Sequence, residues 1–445
     1  MMENTKKEIT LIFKKIIYLC ILVVLSVSCD WNSSEKTNTE SAGSEEIEET
    51  TKDSAFVVDV KALDYAFGMP SEIPSGWITF RMENLGKEVH HGVIAKFVDT
   101  LSYEKLSQMI SKAVKESTQE AYDPLYAVME KDYGGPAMLS PGLTGETTVY
   151  LEPGLYTLSC HLKTSEGIYH MDRGMNRPFV VTSKKVDTQK PQTTVDLTLS
   201  NFAIELGPVS AGDQIFNVNY EDYDYHNVHL AKLEQDQKME DLMIWMTRAQ
   251  MPSPYRFLGG AEQVPVGKTS TFKAFLEPGR YAFVAFGQSI AGMAVEITVP
   301  KKGKSVPVDD ENINKEVIIK IDLEKTDYPQ QLPIGRTPIA IKNTGEREYR
   351  YILSLLKKGS SKEDFEDYLE NNIVEQKVET KGKKNPSYQI WENILSPGEE
   401  DKFSLKVEER DYVLLGPLIP GKSLKSQWRK QNLIHIFNGR KISSE

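Results

Sequence analysis

Between Leu151 and Met175 the chain reads LEPGLYTLSCHLKTSEGIYHMDRGM. A strand-like run ends at Cys160, and the loop after it carries His170 and Met175. A thiol, an imidazole and a thioether brought together make a soft-to-borderline donor set of the kind that holds copper. His90 and His91 lie upstream beside another strand-like run, and either can complete the set. Met171 competes with Met175 for the thioether place, and His161 with His170 for the imidazole. Nine residues separate Cys160 from His170, a gap that closes if Glu166-Gly167 makes a hairpin tip. The bland alternative is that Cys160 is a small buried hydrophobe.

The elements that must position these residues occur three times. Gly134–Cys160 reads GGPAMLSPGLTGETTVYLEPGLYTLSC and Gly259–Ala285 reads GGAEQVPVGKTSTFKAFLEPGRYAFVA. They align without a gap and share the LEPG turn and Tyr156/Tyr281. A third copy starts at Ser396, where Tyr412 matches Tyr156 and Gly416 matches Cys160. Upstream, Phe56–Asn84, Thr193–Asp222 and Val317–Gly345 each read as two strands with a short connection. HHGVIAKF, HNVHLAKL and YRYILSLL follow, each ahead of a helical segment. Alternation in Trp77–Met82 and Thr147–Leu151 marks strands with one buried face. Two packed antiparallel sheets are the economical solution for each repeat. The stripe Met239, Leu242, Met243, Met246 reads as core packing rather than a methionine-rich copper site.

The chain has 445 residues, room for about two to four domains. Its formal net charge of −11 argues against a nucleic-acid partner, since phosphate binding needs a basic footprint. Four lysines, Lys6, Lys7, Lys14 and Lys15, precede the apolar run Ile16–Val27, the pattern of an export signal. The sequence LSVSC then ends at Cys29 and resembles a bacterial lipoprotein lipobox, with Leu25 one place early. The resemblance implies lipid on Cys29 and attachment to a membrane of the cell envelope. The Ser/Thr/Glu-rich stretch 29–54 reads as a tether. Of the three cysteines, Cys20 leaves with the signal and Cys29 is the lipid site, so Cys160 has no disulfide partner.

The first repeat resembles the cupredoxin family in NLGKEVHH (Asn84–His91), in YTLSC (Tyr156–Cys160), and in His170–Met175 with the closing strand Phe179-Val180-Val181. The resemblance implies one copper held by His90 or His91, Cys160, His170 and Met175. The expected fold is all-β: three tandem cupredoxin-like Greek-key sandwiches, each with one inserted helix. Their expected spans are 55–183, 192–300 and 315–445, after a signal at 1–28. The second repeat has Ala285 in place of the cysteine but keeps His226 and His229, which leaves a two-histidine surface site as an alternative there. Tyr349 and Gly416 leave the third repeat without ligands. Seven histidines are too few for the trinuclear centre of a multicopper oxidase. In Cys160-His161 the Cys/His pair of a copper nitrite reductase stands in reverse order. The expectation is therefore a non-enzyme: an envelope lipoprotein for one-electron transfer or copper handling, with a redox or envelope protein as partner. The rival expectation is a non-metallic surface scaffold of three modules.

Overall fold

The computed structural model describes residues 55–200, 203–221, 226–305, 313–374, 385–422, 424–428 and 433–440. The export signal, Cys29 and the tether lie outside the described residues.

The first repeat runs β1 (Phe56–Leu63), β2 (Ala66–Gly68), β3 (Glu72–Asn84), β4 (Val93–Phe97), α1 (Tyr103–Glu116), α2 (Gln119–Val128), β5 (Met129–Asp132), β6 (Thr144–Leu151), β7 (Gly154–Ser159) and β8 (Asn176–Lys185). Strand β3 serves two layers. Its later part pairs parallel with β1 and antiparallel with β6, while its first residues run parallel to β8. The second layer continues antiparallel through β7, β4 and β5. Ile78, Phe80, Met82 and Val149 from one layer meet Tyr156, Leu158, Phe179 and Val181 from the other, all buried. This is a β-sandwich whose alternating side chains were set by the strand period of two.

The shared tyrosine of the LEPG turn has a visible role. Tyr156 and Tyr281 each donate their hydroxyl to the carbonyl four residues back, Glu152 and Glu277, at 2.9 Å. Tyr412 instead accepts from the Glu408 N–H at 2.9 Å. The insertion of the first repeat is a pair of helices rather than one. Ser102 caps α1 by accepting from Lys105 N, and Leu106, Ile110 and Ala113 face inward.

The second repeat comprises β9 (Val195–Ser200), β10 (Ala203–Leu206), β11 (Val209–Ser210), β12 (Gly212–Tyr220), β13 (Val228–Leu233), α3 (Met239–Met246), β14 (Arg256–Ala261), β15 (Thr269–Leu276), β16 (Gly279–Val284) and β17 (Ala294–Val299). One layer is β10-β9-β12-β15 and the other β14-β13-β16-β17. Strand β15 also pairs with β6, Thr271 opposite Thr148, so one layer is continuous across both repeats. A second seam joins Pro136 to Ala261 and Leu139 to Leu258. A single apolar core results. In the third repeat, Val317–Ile321, Gly335–Asn343 and Glu400–Val407 form one sheet. Gln331–Pro333, Ile434–Arg440, Asp411–Leu418, Tyr349–Leu356 and Ser387–Leu395 form the other. Its core takes in Ile290 and Ala291 of the second repeat, and Met243 and Ile244 of α3 pack against it while Leu242 and Met246 are buried in the shared core. The methionine stripe is packing.

The seam tolerates no side chain at two matched glycines. A Cβ at Gly135 would lie 2.0 Å from the Gly92 carbonyl oxygen, and one at Gly260 2.1 Å from that of Val228. Both residues have positive φ, +121° and +133°. Gly135→Ala should therefore cost about 2–3 kcal/mol. Chemical denaturation followed by tryptophan fluorescence would show this as a lower midpoint.

Candidate metal centre

The loop between β3 and β4 is built around Asn84. Its side chain donates to Glu88 O at 2.9 Å and Leu139 O at 2.7 Å, and accepts from Gly86 N at 2.9 Å. Leu139 in turn exchanges backbone hydrogen bonds with His90. Asp64, at the β1–β2 turn, accepts from Lys87 N at 2.8 Å and meets His90 Nε2 at 2.7 Å. Burial would raise the Asp64 carboxyl, but the Lys87 N–H and the His90 ring hold it below its ordinary value. His90 is thus fixed in place and turned so that Nδ1 faces inward.

Cys160 follows β7 directly. Its N–H donates to Met175 O and its carbonyl accepts from Met171 N, both at 3.0 Å. The long gap closes as a hairpin: Lys163 bridges Tyr169, Thr164 N donates to Ile168 O, and Gly167 N to Thr164 O. His170 then opens a 3₁₀ turn, His170–Arg173. The helical pair holds that turn from outside, where Tyr122 donates to Asp172 at 2.5 Å.

These elements bring His90, Cys160 and His170 together, each offering a ligand atom within 4.8 Å of the others. His90 Nδ1 and His170 Nδ1 are 3.2 Å apart, and Cys160 Sγ is 3.4 Å from His170 Nδ1. All three residues are fully buried. The outer nitrogens face carboxylates. Asp64 accepts a hydrogen bond from His90 Nε2, and Glu88 Oε2 stands 2.9 Å from His170 Nε2, off the line of a good hydrogen bond. Protons placed on the outer nitrogens leave both inner nitrogens as bare lone pairs. Burial opposes ionisation of Cys160, but His91, His170 and His90 hold its thiol well below the ordinary value. Burial would lower His90, whereas the Cys160 sulfur and Asp64 raise it. Two inward imidazole nitrogens and the Cys160 sulfur therefore point at one small volume, a grouping of donor atoms that a metal cation can share. The donor set indicates copper.

Tyr65 lies over His170, ring centroids 4.9 Å apart, and its hydroxyl donates to Glu88 at 3.2 Å. Met175 is fully buried in the same core as Cys160. Met171 is only partly buried and packs toward the helical pair. His91 turns away from the group: its Nδ1 meets Glu262 at 2.6 Å, and its Nε2 accepts from His161 N at 2.8 Å. Against burial, Glu262 and Cys160 pull His91 up to about 10. Yet the His161 amide aimed at Nε2 demands a lone pair there, and a backbone donor cannot be switched off, so it decides for the neutral ring. The His161 ring bonds Ser159 Oγ at 2.9 Å, and burial lowers it to about 4.

The second repeat keeps the backbone of this site with other side chains. Ala285 N donates to Met293 O at 3.0 Å, as Cys160 does to Met175. Gln288 occupies the place of His170, and His226 Nδ1 meets Gln288 Oε1 at 3.0 Å. His226 and His229 are both fully buried, which corrects the expectation of a surface site. In the third repeat Gly416 O accepts from His435 Nε2 at 3.0 Å. Sequence reading missed Asp64, Glu88 and Glu262 as supporting residues. Only Glu262 had a local signal, a carboxylate aligned with Ala137 of the first repeat.

No protein-family model matches the chain, and no curated protein matches it. Several solved structures are similar. Auracyanin from Roseiflexus castenholzii shares 19% identity over 29% of this chain and 98% of its own, at TM-score 0.18. A Cu-containing nitrite reductase from Thermus scotoductus shares 11% over 88% and 100%, at 0.16. A multi-copper oxidase from Pediococcus acidilactici shares 8% over 89% of each chain, at 0.18. Likeness at these TM-scores carries no argument about the site. It does overturn one expectation. The expectation of a non-enzyme is withdrawn, because a nitrite reductase and an oxidase, both enzymes, stand among the similar structures.

Gly86 is the tightest point of the support. A Cβ there would lie 2.3 Å from Asp64 Oδ1 and 2.7 Å from His90 Nε2. Gly86→Ala should break the Asp64–His90 contact, cost about 1–3 kcal/mol in stability, and weaken metal uptake by roughly 10–100-fold. Isothermal titration with copper beside a denaturation curve checks both effects.

Proposed function

We propose that the first repeat is a mononuclear copper site used for one-electron transfer or copper handling, in a chain of three tandem cupredoxin-like sandwiches. The observation that carries this is the convergence of His90 Nδ1, His170 Nδ1 and Cys160 Sγ, with both outer imidazole nitrogens facing carboxylates. These three residues would hold the metal, with Met175 as the thioether from the same loop. Bound copper supplies one-electron redox chemistry at a thiolate. The chain's own part is to orient and to shield. Asp64 and Glu88 set the imidazole tautomers, and the sandwich and Tyr65 exclude water from His90, Cys160 and His170. The second and third repeats lack the thiol and serve as scaffold. Lipid on Cys29 would anchor the chain to a membrane of the cell envelope, and a redox or envelope protein would be its partner.

Titration of Cu(II) into the protein should yield one intense thiolate-to-copper band at one equivalent. Cys160→Ser should abolish it, and Met175→Leu should keep it while shifting the midpoint potential. No band in the unmodified protein, together with no tight Cu(I) binding, would leave the non-metallic scaffold as the better reading. The anchor has its own check: Cys29→Ser should move the protein from the membrane to the soluble fraction and abolish lipid labelling.

A further inference from the structure

The copper reading leaves a buried carboxylate beside its site unused. Glu262 follows β14 in the second repeat, and its side chain is 3% exposed. An unpaired carboxylate at such depth is costly. Its company comes from both repeats. Its Oε1 meets His91 Nδ1 at 2.6 Å and lies 3.9 Å from His229 Nε2. His229 Nδ1 accepts from Met138 N at 3.1 Å, so its proton sits on Nε2, facing the carboxylate. His91 Nε2 accepts from His161 N, so its proton sits on Nδ1. Both rings thus spend their lone pair on a backbone N–H; His91 spends its proton on Glu262, and the His229 proton faces the same carboxylate from 3.9 Å without a hydrogen bond. Neither has a lone pair left for a metal, so this cluster is not a second ion site.

Its bonds lead to the first site instead. His161 is the residue after Cys160, and its amide is what His91 holds. The second repeat makes the same link with a neutral residue: Asn227, which follows His226, accepts from Phe286 N, which follows Ala285, at 2.7 Å. There no thiol needs placing, and the position matching Glu262 in the first repeat is Ala137. Where the thiol is present, the acceptor is an imidazole backed by a carboxylate from the neighbouring repeat. The same neighbour grips the loop a second time: Lys163 N donates to Ala249 O, Met251 N to Lys163 O, and Gln250 Nε2 to Ser165 O.

We propose that Glu262 is a positioning residue for the copper site, acting through His91 on the backbone that carries Cys160. This rests on the copper reading above. Burial would raise the Glu262 carboxyl, but His91 and His229 hold it below its ordinary value, so the group remains an acceptor.

The test compares copper-loaded full-length protein with Glu262→Ala, Glu262→Gln, and Glu262→Ala combined with His91→Asn. Visible and electron paramagnetic resonance spectra, midpoint potential, copper release rate and the apo-protein melting temperature are recorded for each. Glu262→Ala should keep one copper per chain, shift the thiolate band and the potential, and release copper at least about tenfold faster. Glu262→Gln, which can still accept from His91, should lie between; it also serves if the alanine variant does not fold. The double variant should recover the spectrum, because Asn supplies the acceptor without needing a carboxylate. A Glu262→Ala protein that melts lower but keeps the parent spectrum, potential and release rate would overturn the proposal and leave Glu262 an ordinary seam residue. Absence of any thiolate band in the parent would instead sink the copper reading, and this proposal with it.

Discussion

Two imidazole nitrogens 3.2 Å apart, beside a buried sulfur, must share either a proton or a metal ion among them. Much of the surrounding structure can be understood as what holds them there regardless. Asn84 fixes the loop that carries His90, and Asp64 turns the ring. The hairpin at Thr164–Ile168 and the 3₁₀ turn bring back His170, which Tyr122 secures through Asp172. None of these bonds is made by a ligand atom that a metal would use. The site is preorganised by its second layer of contacts, so little rearrangement is required of the protein on metal uptake.

That second layer crosses between repeats. Strands β6 and β15 pair edge to edge, the Pro136–Ser140 and Phe257–Glu262 segments pair beside them, and one core fills the space between. The nine-residue gap between Cys160 and His170 gives the loop enough reach to touch the second repeat at Ala249–Met251. A shorter loop would not arrive there. The third repeat has a core distinct from that of the fused pair, and it meets the second repeat through Ile290 and Ala291, which that core includes, through α3, and through the Glu240 contacts to Lys358 and Arg410. The chain is therefore two bodies by packing: a fused pair that contains the site, and a third sandwich.

The LEPG turns, the alternating strands and the grouping of Cys160 with His170 were legible because each rests on a short-range pattern. The hairpin tip at Glu166-Gly167 was legible for the same reason. The choice between His90 and His91 was not: both stand at one strand entry, and only Asp64 and Glu262, 26 and 171 residues away, turn one ring inward and the other outward. The second helix of the first insertion was missed because Pro124 interrupts its pattern. The histidines of the second repeat looked like surface ligands, since a polar ring in a sequence shows no partner. In the fold, Gln288 and the Met138 amide supply those partners from distant segments.

The second repeat also separates what the backbone does from what the ligands do. Ala285 and Met293 reproduce the backbone bond between Cys160 and Met175, and a 3₁₀ turn at Ser289–Ala291 stands where His170–Arg173 stands. His226 faces Gln288 much as His90 faces His170. One difference decides the chemistry. An amide can donate or accept, so His226 and Gln288 satisfy each other, whereas His90 and His170 turn their outer nitrogens to carboxylates and their inner nitrogens to each other and to Cys160. The sandwich therefore builds this corner with no thiol and no second imidazole. Placing Cys160 and His170 into it converts an amide–imidazole hydrogen bond into a group of three donor atoms that could hold a metal ion.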